Sequence, residues 1–227
     1  MRIAILTPTR RRPSAAWLSS VVASAPVLRA AGHDPRVEIE TGNPYISFAR
    51  AKLMQRCPEA DAFLFIDDDL GWEPDALLRL VETPGDVVAG DYRFKMAEEE
   101  YMGVLASGPN GKPIGRADGC ALAERVPGGF LKVTRAAVDR FAHAYPHLRF
   151  GDAIDLFNHG AIDGVWHGED YAFSKRWRDI GGELWVIPDL TLSHHGWDDD
   201  AVFVGNLHEF LMRQPGGIND PARQEAA

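Results

Sequence analysis

Five apolar residues, Ala62-Phe63-Leu64-Phe65-Ile66, run directly into three aspartates, Asp67-Asp68-Asp69. A strand shows alternate side chains to two faces, so it can be apolar throughout only if both faces are covered. The segment reads as the central strand of a layered sheet, with charge gathered at its carboxyl end. Residues 2–7, 37–40, 87–90, 128–133 and 184–187 read as further strands, and 190–195 continues extended. Helical patterns cover 14–31, 46–56, 75–82, a stretch from Thr134, and 169–181. Pro8 stops the first strand, Pro26 kinks or splits the first helix, and Pro74 opens the third. Residues 95–125, punctuated by glycines, read as hairpins and turns, and 151–168 as a loop. The alternation predicts an α/β fold with a mainly parallel central sheet flanked by helices.

Composition narrows the function classes. The 227 residues fit one large domain, expected over 1–213, with a nucleotide-binding half (1–94) and a smaller acceptor-side half (95–213). From Gln214 onward there is little to bury, and 214–227 is expected to be a mobile tail. Two cysteines, Cys57 and Cys120, make neither a disulfide framework nor a CxxC pair. No apolar stretch approaches the ~20 residues of a membrane span, and no signal-peptide pattern precedes Ile3. The expectation is a soluble, cytoplasmic chain. A net charge of −9 argues against a broad grip on nucleic acid, although Arg10-Arg11-Arg12 forms a local basic cluster.

Three carboxylates at a strand end repel one another unless water or a cation intervenes. Hard oxygen ligands at the carboxyl end of a sheet strand suit Mg²⁺ or Mn²⁺, which could bridge a diphosphate. The plainer alternative is a solvated acidic loop ahead of the Pro74 helix. Glu169-Asp170 opens a helix, where acids are favoured by the helix dipole. Asp170 could equally serve as a general base for an acceptor hydroxyl, with Trp166 and His167 lining a sugar or acceptor pocket. His194 and His195 follow a strand and point to opposite faces, so at most one faces a site.

From Arg2 to about Gly196 these features resemble the GT-A glycosyltransferases, especially their family-2-like group. Thr7-Pro8-Thr9-Arg10 looks like that family's nucleotide-binding first strand and loop. Glu38 or Glu40 matches the acid that helps hold the nucleoside, and Arg50 the arginine of a helix on the nucleotide side. Asp67-Asp68-Asp69 is similar to the DxD motif. Gly128-Gly129-Phe130-Leu131 looks like the strand bordering the acceptor, so Gly129 is expected there. Gly168-Glu169-Asp170 resembles the ED motif, and the register of Ser193-His194-His195-Gly196 makes His194 the metal-binding candidate.

The resemblance implies a metal-dependent transferase. Asp67, Asp69 and His194 would hold Mn²⁺ or Mg²⁺, with Asp68 beside them and Arg10 or Lys95 adding charge to the phosphates. Asp170, with Glu169 beside it, would deprotonate the acceptor and invert the anomeric centre. The Trp166 to Asp170 segment is also similar to a tryptophan–glycine–acid motif found in enzymes of either stereochemistry, so retention stays open. A UDP-sugar is the default donor. The acceptor could be a saccharide or another hydroxyl, a modified nucleobase included. A nucleotidyltransferase would need a glycine-rich triphosphate loop, which Thr7 to Pro13 lacks. A P-loop enzyme would need GxxxxGK[ST], also absent. A non-catalytic nucleotide-sugar or glycan-binding protein is the remaining alternative.

Overall fold

The structure, a computed structural model, describes residues 1–109, 111–196 and 201–214; beyond Gln214, the expected tail lies outside the described residues. The chain opens with β1 (Arg2–Thr9), α1 (Ala15–Ala30), β2 (Asp34–Thr41), α2 (Ile46–Gln55) and β3 (Ala62–Ile66). A short β4 (Leu70–Trp72) leads to α3 (Pro74–Glu82), β5 (Val87–Gly90), β6 (Val104–Leu105), β7 (Ala121–Arg125), β8 (Phe130–Thr134) and α4 (Arg135–Ala144). Two small hairpins follow, β9 (Arg149–Phe150) with β10 (Ala153–Ile154), and β11 (Gly160–Ile162) with β12 (Val165–His167). Last come α5 (Glu169–Asp179), β13 (Leu184–Ile187), β14 (Thr191–His195), β15 (Val202–Asn206) and α6 (Leu207–Arg213).

Eight strands form one sheet in the order β2-β1-β3-β8-β5-β13-β7-β6. Strands β2, β1, β3, β5, β13 and β6 point one way, while β8 and β7 run against them. All five residues of β3 are buried, as its apolar run demands. Phe63 and Phe65 pack with Leu53 of α2, Phe141 of α4 and Trp177 of α5. Leu64 and Ile66 face the other way, toward Trp17 of α1 and Leu77 of α3. The strand alternation thus builds two cores, one on each side of the sheet. No described helix is long and apolar enough to cross a membrane.

Three local expectations need correction. Pro8 does not stop β1, which runs on to Thr9 against β2. The pairing with β3 ends at Leu6, so Pro8 lies where one flank of the strand has already lost its partner. Pro26 does not split α1, which continues through it. Pro26 is exposed and so is Val22, the residue whose carbonyl loses its helical partner, so water can serve that carbonyl. The buried face of Trp17, Ser20, Val21, Ser24 and Leu28 holds the helix together. Within 151–168 there is a hairpin rather than a loop alone. Asp163 and Gly164 both have positive φ, 52° and 79°, as a two-residue type I′ turn between antiparallel strands requires.

A second, three-stranded sheet, β15-β14-β4, positions the C-terminal histidines. β4 starts one residue after the aspartates, and β14 pairs with it so that His194 lies opposite Leu70. The His195 amide donates to the Asp69 carbonyl at 2.8 Å.

Candidate active site

At the carboxyl end of β3 the three aspartates diverge. Asp67 Oδ1 accepts from Arg50 Nη2 at 3.1 Å, and Oδ2 accepts from the Tyr92 hydroxyl at 3.2 Å. Gly129 makes this possible, because a Cβ there would strike both the Tyr92 hydroxyl and the Asp67 carboxylate. Burial raises the Asp67 carboxyl above its ordinary range, against the opposing charge of Arg50. Asp68 turns inward and is 8% exposed. Burial pushes it up to about 6, with the Thr9 hydroxyl opposing. Its carbonyl accepts from the amide of Ser14, which caps α1 through a bond to the Trp17 amide.

Asp69 meets His194 and Lys95. Lys95 Nζ donates to Asp69 Oδ2 at 2.5 Å. Asp69 Oδ1 lies 3.5 Å from His194 Nε2, is buried, and has no hydrogen-bond partner among the described residues. The other imidazole nitrogen, Nδ1, is 2.8 Å from the carbonyl oxygen of Arg93, so Nδ1 must donate. In the neutral imidazole this turns the Nε2 lone pair toward the orphaned carboxylate oxygen. Two acceptors so placed need a proton or a cation between them. An imidazole that donates its second nitrogen to a backbone carbonyl is the usual support for a metal ligand. Among the described residues no group of three or more His, Cys, Asp or Glu converges as a ready-made metal cage. A pair of protein ligands still suits an ion whose remaining positions are filled by water and phosphate oxygens. Asp67, expected as a third ligand, has both oxygens engaged by Arg50 and Tyr92.

The downstream acids sit at the first turn of α5. Asp170 Oδ2 accepts from the Gly128 amide at 3.0 Å, and Glu169 Oε1 lies 3.5 Å from Arg50 Nη1. Burial raises Asp170 to about 6, with Arg50 opposing and Glu169 adding to the rise. A carboxyl raised in this way is a stronger base than an ordinary one.

No protein-family model and no curated protein matches the chain. Solved structures do. One is a Drosophila β-1,4-galactosyltransferase 7 mutant in complex with manganese, UDP-Gal and xylobiose: TM-score 0.50, 15% identity, covering 89% of this chain and 69% of that one. Another is GalNAc-T7 with UDP, GalNAc and Mn²⁺: TM-score 0.52, 11% identity, covering 93% of this chain and 48% of that one. The chain has the GT-A fold.

Within the GT-A frame, the remaining expected residues fall along the carboxyl ends of β1 and β2 and on β12. Thr7 is buried, and its hydroxyl donates to the Ile66 carbonyl at 2.8 Å. Thr9 is buried, Pro8 half-buried, and Arg10 exposed. Glu38 and Glu40 lie on the same face of β2, turned toward α2. Glu38 pairs with Arg36 and Arg56, and Glu40 with Lys52 and Arg56. Burial and these two cations act on Glu40 in opposite senses, and the cations prevail, leaving its carboxyl below the ordinary range. Trp166 on β12 is 72% exposed and His167 half-buried.

One residue of this cluster, Tyr92, escaped the sequence reading, while Gly128, read there only as part of the strand bordering the acceptor, also gives its amide to Asp170. Tyr92 lies two residues past β5 and Gly128 two before β8, both at the edge where ligands gather in such sheets. That position was the available signal.

Proposed function

We propose that this protein is a glycosyltransferase, moving a sugar from a nucleotide-sugar to an acceptor hydroxyl with the help of Mn²⁺ or Mg²⁺. The observation that carries the reading is the facing pair of Asp69 Oδ1 and His194 Nε2 at the carboxyl end of β3. Asp69 and His194 hold the ion, and Asp67 stands beside them on its own cation. An ion held there would supply positive charge to the donor diphosphate. Lys95, 28% exposed and already at Asp69, offers a second positive charge to the phosphates. Arg10 and the buried threonines Thr7 and Thr9 border the nucleotide, with Glu40 at the nucleoside end of β2.

Asp170 takes the acceptor proton, oriented by the Gly128 amide. A base acting opposite the leaving group gives inversion. The exposed Trp166 and neighbouring His167 offer a flat surface for the acceptor, while Gly129 lets Tyr92 and Asp67 meet beside it. A saccharide ring or a nucleobase would both fit that chemistry, and a UDP-sugar is the default donor.

The test is sugar transfer by wild type and Asp170→Asn across a panel of nucleotide-sugars with Mn²⁺. Transfer by wild type alone, with donor binding retained in the variant, supports the reading. Equal transfer by both removes Asp170 from the role of base, and no donor turnover by wild type removes the transferase.

A further inference from the structure

Arg50 was expected to face a nucleotide, but it is 1% exposed. Arginine is almost never so covered unless paired, and here the pairing is with the site itself. Nη2 donates to Asp67 and Nη1 reaches Glu169. The guanidinium lies 4.6 Å from the centre of the Phe157 ring. Gly128 leaves room for it, because a Cβ there would come within 2.9 Å of Nη1. The same Gly128 donates its amide to Asp170. One covered charge therefore joins the acid at the end of β3 to the acids that open α5.

We propose that Arg50 is a positioning residue: it fastens the Asp67 turn to Glu169 at the start of α5 and so holds the neighbouring Asp170 at the acceptor side, without touching the nucleotide. This rests on the reading of Asp170 as the base. Asp170 is faced by Arg50 from α2, by Asp67 at the end of β3, by Tyr92 beyond β5, by the Gly128 amide, and by Glu169 and Tyr171 from its own helix. Burial and the neighbouring acids favour the protonated form, while the Arg50 charge and the Gly128 amide oppose them. Conservative replacement by lysine keeps the charge but not the two-pronged grip.

The test is a carboxyl-carbon NMR titration of Asp170 in wild type, Arg50→Lys and Arg50→Met, with Asp170→Asn assigning the resonance. The wild-type midpoint is expected at about 6. Removing an opposite charge that favours the ionised form of a buried carboxyl raises it by about one pH unit or more, so Arg50→Met should move up by that much and Arg50→Lys by less than half of it. If Arg50→Met does not fold, Arg50→Gln removes the charge while keeping a polar donor. An unmoved midpoint in the folded neutral variant overturns the proposal, as does a lysine variant that shifts as far as the neutral one. In kinetics, the acidic limb of kcat/KM should shift in parallel, with KM for the donor little changed. A carboxyl that titrates as expected in a protein that transfers no sugar would sink the transferase reading and leave the Arg50 role standing.

Discussion

At the scale of single residues, the site is a matter of which oxygen meets which cation. Asp67 and Asp69 are two positions apart, yet one is committed to Arg50 and Tyr92 and the other to Lys95, with its second oxygen left facing His194. Asp170→Asn should lower transfer by roughly 10²–10⁴-fold, the usual worth of a general base. Donor affinity should be unchanged, because the Gly128 amide can still bond to an amide oxygen; initial rates beside a binding titration check both. Asp69 and Asp170 were expected at element ends, and the structure sets Asp69 at the carboxyl end of β3, facing His194, and Asp170 in the first turn of α5. The burial of Arg50 was not legible. It depends on Gly128, Phe157 and Glu169 converging from distant parts of the chain, and a helix pattern shows only that Arg50 lies on one face.

At the scale of elements, apolar runs and alternation were the reliable guides. The strands 62–66, 87–90 and 184–187 have the bounds that their apolar runs mark. β4, a three-residue strand, and β15 carry too little periodicity to stand out, yet with β14, read as extended over 190–195, they bring His194 to Asp69. The Asp163-Gly164 turn was readable in its residue types but was masked by a glycine-rich surrounding. Proline was over-read twice, since its cost depends on whether the orphaned carbonyl reaches water. In a helix interior that cost is about 3 kcal/mol against alanine, partly offset by proline's stiffening of the unfolded chain. Pro26→Ala should therefore stabilise the protein by roughly 1–2 kcal/mol, read as a higher urea midpoint with an unchanged slope. A lower midpoint would mean that the exposed end of α1 uses proline in a way its helical geometry does not reveal.

At the scale of the whole molecule, the sheet stores acidic groups in its interior. Asp91, 2% exposed, accepts amide bonds from Tyr92 and Gly103, and burial raises it to about 7. Its folded pKa lies above its unfolded value near 3.8. Between these two the native state holds a proton that the unfolded chain has released, so stability falls as pH rises through that window. Asp68, raised to about 6, acts in the same sense. Urea melts should give lower stability at pH 8 than at pH 5, and Asp91→Asn should flatten the difference; equal stability at both values in wild type would deny these burial effects. Asp69 and His194 meet at the carboxyl end of β3, and Asp170 opens α5 beside Gly128. Calorimetric titration with UDP, with and without Mn²⁺, tests that arrangement most directly. The account predicts tight binding that requires the metal and is lost in Asp69→Ala. Equal binding without metal, or metal-dependent binding that survives in Asp69→Ala, would contradict it.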